Sequence, residues 1–252
     1  MNTKKKRRNN LRPVTWTIIT IVILATGFAL LHNKKSVPVA TSPVVNMGNS
    51  SYSSDELKSF WSSELKPIAV DQWAGAQFPY PEINARSAHL KSRVLERTQK
   101  GIRTHASFNY HWAGKTISAT TGFNTNEHQV TFVLHVPALL DTFKEVRGSG
   151  RADWRKLFET YFTIMLMHEM EHAGYDGRSA TAAVTKEEES RAWAETCRHT
   201  ITPLVELYNL PTFQIQNRFY VAWKLSNGDT GHPAWQEVLE SVYGLLDNLP
   251  HK

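Results

Sequence analysis

The sequence predicts an α+β domain in which a small antiparallel sheet precedes a helix carrying an H-E-x-x-H motif, with one transmembrane helix ahead of both. Three observations predict it. Pro13 to Leu31 is a run of 19 residues without a charge. Val130, Phe132, Leu134 and Val136 alternate as one face of a strand does. A long apolar helical run then ends in His168, Glu169, Met170, Glu171 and His172. At 252 residues and 41% hydrophobic content the chain can fill one sizeable core with appendages.

The net charge of +6 is confined to the N-terminus. Lys4, Lys5, Lys6, Arg7, Arg8, Arg12, Lys34 and Lys35 stand against no acid before residue 36, which leaves about −2 for residues 36–252. No basic stripe interleaved with aromatics follows, so nucleic acid is excluded as a partner of the globular part. Residues 1–12 read as a cytoplasmic basic tail. Residues 13–31, about 28 Å long as a helix, match the hydrocarbon core of a bilayer. Six positive charges precede this run and two follow it, which directs the N-terminus to the cytoplasm and the remainder outside. The span is expected to be an uncleaved signal-anchor that engages the lipid bilayer. The competing reading is a cleaved signal peptide, but no small-x-small site follows: Leu30 and Leu31 succeed Ala29, and Pro38 stands two before Ala40.

Residues 32–54 read as a tether, because the Ser, Pro, Val and Asn of its main part carry no period that buries a face. The folded domain spans 55–252. Leu57, Phe60, Trp61 and Leu65 recur at helical spacing as far as Pro67, and Phe78 to Pro81 leads into a second helix over 85–99. From Phe108 to Val136 the pattern turns to strands, with β-formers at 116–121, turn residues at 122–127 and alternation from Val130, as in a hairpin or meander. Arg147 to Gly150 breaks the chain. Asp153 then caps a helix through Trp154, Leu157, Phe158, Tyr161, Ile164, Met165 and Leu166 to His168, ending near Gly174 before a loop at Asp176 and Gly177. Thr185, Lys186, Glu187 and Glu188 form a capping-box pattern that opens the next helix. Gly228 to Pro233 is a turn ahead of a final helix over 234–249, with Trp235, Val238, Leu239, Val242, Leu245 and Leu246 as its core face.

Histidines four apart on a helix lie about 40° from each other and can grip one zinc ion, while the glutamate between them can poise a water. His168 and His172 are therefore the expected ligands and Glu169 the expected general base. Glu171 lies about 200° around the helix from Glu169 and reads as a solvent or scaffold contact. Zinc needs a third protein ligand. The capping box assigns Glu188 to the helix start, which frees Glu189, with the small Ala192 nearby allowing close helix approach. Glu189 is the expected third ligand; Glu188, Glu195, Asp176 and His199 are the alternatives that spacing leaves open.

Together these motifs resemble the zincin metallopeptidases, and among them the gluzincins, whose H-E-x-x-H helix is followed by a helix that supplies a glutamate. Glu189, Ser190, Arg191 and Ala192 resemble the E-x-x-A part of the E-x-x-A-D signature of membrane-associated prenyl-protease and heat-shock-protease relatives; the family's Asp falls at Trp193. The metzincin extension is absent, since Tyr175 and Arg178 stand where it needs Gly and His. The likeness covers about residues 128–200. It implies a zincin-like fold, one Zn2+ on His168, His172 and Glu189, proton transfer by Glu169, and a strand whose edge binds extended substrate, for which Gln129 to Val136 serves by analogy. A transition-state donor is also required, and Tyr175, His199, Tyr220 and His232 are eligible.

The expected function is that of a membrane-anchored zinc metalloendopeptidase acting on peptide or protein substrates outside the cytoplasm. The alternatives are a non-enzymatic anchored binding or scaffold module, in which the two histidines are coincidental, and a site that holds zinc structurally or hydrolyses cell-wall amides. The lone Cys197 excludes an intrachain disulfide and reads as a small packing residue.

Overall fold

The computed structural model describes residues 52–68, 78–108, 119–124, 129–175 and 185–243. The chain divides into Met1–Ser51 and Tyr52–Lys252, and every described residue belongs to the second unit. The expected basic tail, transmembrane span and nearly all of the tether lie outside the described residues. Among the described residues no helix is long and apolar enough to cross a membrane.

Helix α1 (Ser54–Phe60) starts where the Ser53 side chain accepts the Glu56 N–H, and it runs on through a π turn at Trp61–Leu65. Leu57, Phe60 and Leu65 are buried, as their spacing predicts. Asn84 ties both the N–H and the carbonyl of Phe78, fixing the entry to helix α2 (Pro81–Thr98). This helix begins four residues before its expected start, because proline is tolerated in a first turn whose N–H groups have no intrahelical partner. Its buried stripe of Ile83, Ser87, Leu90, Val94 and Thr98 faces inward.

The sheet has three strands: β1 (Ile102–Ser107), β2 (Ala119–Asn124) and β3 (Gln129–His135), in the order β1-β3-β2. Strand β3 pairs parallel with β1, Thr104 opposite Phe132, and antiparallel with β2, Thr121 opposite Phe132. Val130, Phe132 and Leu134 are buried in the expected alternation. At Val136 the alternation stops: helix α3 (Val136–Gly148) begins there, since Pro137 cannot donate to a ladder but fits a first helical turn.

Helix α4 (Trp154–Ala173) carries the motif. Its expected cap, Asp153, makes no capping bond; its carboxylate pairs with Arg151 instead, both oxygens at 2.8 Å. From Phe162 to Ala173 every residue is buried, so α4 is a central helix, packed by α2, α3, helix α5 (Lys186–Thr196) and β2. Burying side chains such as Phe158, Phe162, Ile164 and Leu166 contributes about 1.5–3 kcal/mol each. After α5 come π turns at Cys197–Ile201 and Pro203–Leu207, then helix α6 (Gln214–Leu225) and helix α7 (Pro233–Tyr243).

The expected fold class is overturned. Instead of an α+β zincin-like domain resting on a small antiparallel sheet, the described residues are mostly helical around one three-stranded mixed sheet, with no transmembrane helix among them. Strand β1 escaped the sequence because Arg103, Thr104, His105 and Ser107 leave it only Ile102 and Ala106 as apolar positions. Parallel pairing across intervening chain also leaves no local pattern. The substrate-strand analogy falls with the topology: β3 is paired on both sides and has no free edge, whereas β2 is an edge strand among the described residues.

Candidate metal centre

The motif and the following helix face one another, and each contributes to a single cluster. His168 and His172 lie one turn apart on α4, with Nε2 atoms separated by 3.2 Å. From the first turn of α5, Glu189 brings Oε2 to 3.3 Å from the His168 Nε2 and 3.5 Å from the His172 Nε2. Zinc–ligand bonds of about 2.0–2.1 Å directed tetrahedrally put donor atoms about 3.3 Å apart. The three atoms thus form the triangular face that one small cation requires. Buried as they are, His168, His172 and Glu189 could hold a metal ion. Glu189 Oε2 is buried and accepts no hydrogen bond although two ring nitrogens stand so near. That is the geometry of three lone pairs aimed at a common point, and the donor set fits the ion.

Both rings are held by their far nitrogens. The Thr196 hydroxyl donates to the Ala192 carbonyl at 2.7 Å, so its oxygen is left to accept from Nδ1 of His168 at 3.4 Å. Nδ1 of His172 donates to Oε1 of Glu188 at 2.9 Å. These partners fix the tautomers that leave both Nε2 lone pairs free. Glu188 therefore plays half its expected part. Its backbone N–H is capped by Thr185 Oγ1 at 3.1 Å, but its carboxylate turns to His172 rather than back to the helix start. Without a metal the cluster retains a proton: burial opposes a charge on His172, yet the hydrogen bond to Glu188 and the facing carboxylate of Glu189 outweigh it and push the imidazole up to about 9. Burial likewise opposes ionisation of Glu189, and the facing histidines hold its carboxyl well below the usual range.

Glu169 points toward the sheet. Its Oε2 accepts from the hydroxyl of Thr121 on β2 at 2.5 Å, and the same hydroxyl lies 3.1 Å from the Glu169 carbonyl. Its charge reaches His172, Tyr243 and His135. Glu171 is fully buried and gripped by Arg86 through two 2.7 Å bonds, so it is scaffold and has no solvent contact.

The other expected candidates fall elsewhere. Glu195 pairs with Arg86, Arg198 and His199, and His199 is engaged there. Asp176 lies outside the described residues. Arg191 covers the ring of Tyr175, Tyr220 donates to Glu206, and His232 accepts the Ala234 N–H in the turn before α7. Tyr243 feels the charge of the cluster: burial, and then Glu189, raise its phenol well above its usual value. Its signal in the sequence was position: spaced four and eight residues from Leu239 and Trp235, it continues their buried stripe. Trp193 is a further omission. Its ring stacks on His168 at 4.2 Å and 30°, and its Nε1 donates to the Tyr243 hydroxyl oxygen at 2.8 Å. Cys197 is buried, and burial raises its thiol, consistent with packing alone.

No family model matches this chain, nor does any curated protein or solved structure.

Proposed function

We propose that this protein is a zinc-dependent metallopeptidase, anchored by residues 13–31 with its N-terminus in the cytoplasm and its folded domain outside, that hydrolyses peptide or protein substrates. The observation that carries the reading is the convergence of His168 Nε2, His172 Nε2 and Glu189 Oε2, with Glu169 beside them on the same helix. His168, His172 and Glu189 would hold the zinc, which would supply activation of a water and polarisation of a carbonyl. Glu169 would serve as general base and then as general acid, taking up a proton and delivering it to the leaving amine. Thr121 holds one oxygen of Glu169, leaving Oε1 for the proton. A site that held zinc only as a structural element would have no use for a carboxylate held in this way.

The neighbouring sheet edge favours a polypeptide substrate. Strand β2 carries no further strand on its outer side among the described residues, and its Thr121 touches the general base. An extended chain added along that edge would find backbone donors and acceptors beside Glu169.

The test is elemental analysis and peptide-library cleavage by the full-length chain in detergent. One zinc per chain is expected, lost in the His168→Ala His172→Ala double variant, with cleavage abolished by Glu169→Gln. A folded chain that takes up no zinc on reconstitution refutes the proposal.

A further inference from the structure

Glu171 stands inside the motif, between His168 and His172, yet it is held from two other helices. From α2, Arg86 grips its carboxylate through Nε and Nη2, both at 2.7 Å. From α5, Arg191 donates through Nη2 to its main-chain carbonyl at 2.9 Å, one of the last carbonyls of α4, which have no intrahelical partner. The Arg86 guanidinium also reaches across to α5, where Nη2 donates to Oε2 of Glu195 at 3.0 Å. One side chain of α2 thus ties the helix that carries two members of the cluster to the helix that carries the third. Such a pair is costly to bury, since the Glu171 side chain is 1% exposed, and a well-packed apolar pair would stabilise the fold as well or better. What two parallel charge-assisted bonds add is a single fixed geometry.

We infer that Arg86 is a positioning residue for the metal centre: bonded at once to Glu171 on α4 and to Glu195 on α5, it sets the register in which Glu189 meets His168 and His172. The inference rests on the metal-binding reading of the cluster and extends it to α2, a helix that supplies no ligand. Oε2 of Glu189 lies 3.3 and 3.5 Å from the two Nε2 atoms, and a binding constellation must be held to within about 0.5 Å. A slip of α5 along α4 by more than that would part Glu189 from one of the rings. The Arg86 fork resists the slip at both helices, because Glu171 precedes His172 by one residue and Glu195 follows Glu189 by six on the same rigid element.

The experiment compares the full-length chain with the double variant Arg86→Met Glu171→Met, which exchanges the ion pair for an apolar one and leaves no buried charge unpaired. Arg86→Lys is the second variant, since it keeps the charge but cannot form the two parallel bonds. Lys144→Met is the control, because that ammonium pairs with Glu56 on the exposed surface between α3 and α1. Two readouts are taken: the zinc dissociation constant by chelator competition, and the visible ligand-field spectrum of the cobalt(II)-loaded protein. The double variant is expected to fold, to weaken zinc about 10- to 100-fold and to alter the cobalt bands, Arg86→Lys to shift both in the same direction, and Lys144→Met to change neither. Wild-type affinity or wild-type bands in the folded double variant, with one metal bound by the unaltered chain, overturn the inference and leave the site standing. If the double variant does not fold, Arg86→Lys decides by the same readouts. Failure of the unaltered, folded chain to bind metal overturns both readings.

Discussion

Thr121 of β2 donates to Oε2 of Glu169 on α4 at 2.5 Å. The sheet thereby reaches the motif helix: β2, an edge strand among the described residues, fixes the orientation of the carboxylate proposed as the general base. The hydroxyl is the only part of Thr121 needed for this.

Thr121→Val keeps the β-branched shape and removes the donor. It is expected to lower kcat about 10- to 100-fold while zinc content stays at one per chain, because an outer hydrogen bond orients without binding the ion. Glu169→Gln should abolish turnover with zinc retained. Parallel loss of zinc and activity in either variant would refute the separation of roles.

Glu189 and Glu188 are adjacent but face different atoms, the first the Nε2 atoms of His168 and His172 and the second the far nitrogen of His172. Glu189→Ala should remove stoichiometric zinc. Glu188→Ala should weaken it about 10- to 100-fold, as loss of an outer partner does. Chelator competition on both variants orders them, and the reverse order would exchange the roles.

The metal-free chain should carry a pH signature of its own. His172 is raised from 6.5 to about 9 in the folded state, so its contribution to stability is full below 6.5 and disappears as pH climbs through 9. Glu189 is depressed below 4.5, so its contribution is present above 4.5 and disappears as pH falls through its folded value. The melting temperature after chelation should therefore decline from pH 6.5 to 9, and zinc, which replaces the retained proton, should flatten that decline. A metal-free melting temperature that rises over this interval contradicts the assignment.

The His168, His172 and Glu189 cluster was legible because its members obey helical spacing: His168 and His172 share a face, and Thr185 marked where α5 begins, which set the register of Glu189. Contacts between elements distant in sequence were not legible. Nothing local to Thr121 announces a bond to a residue 48 positions on, and Glu171 disclosed its burial only once Arg86 arrived from α2. The sheet was misread for a related reason. Alternation at Val130, Phe132 and Leu134 reports which face is buried, yet it says nothing about which strands lie on either side or in which direction they run.

Gly174, at the end of the motif helix, tests how tightly α4 is seated on α2. Its φ of −76° suits any residue, so only space argues for glycine. A Cβ there would lie 2.6 Å from Leu90 Cδ2 and 3.4 Å from the Met170 carbonyl oxygen. Leu90 is itself 2% exposed, which leaves it nowhere to turn. Arg97, also on α2, adds to the constraint by holding the carbonyls of Ala173 and Tyr175 on either side of Gly174. Gly174→Ala should therefore cost about 1–3 kcal/mol, typical of overpacking, and lower the melting temperature by roughly 2–12 °C at this chain length. Because His172 is only two residues away, zinc affinity should fall as well. Adding Leu90→Ala opens room for the new methyl, so the double variant should be more stable than the sum of the two single changes allows. Additive losses would mean that the two helices part at Gly174 without strain. The seat of His172 would then not depend on this contact.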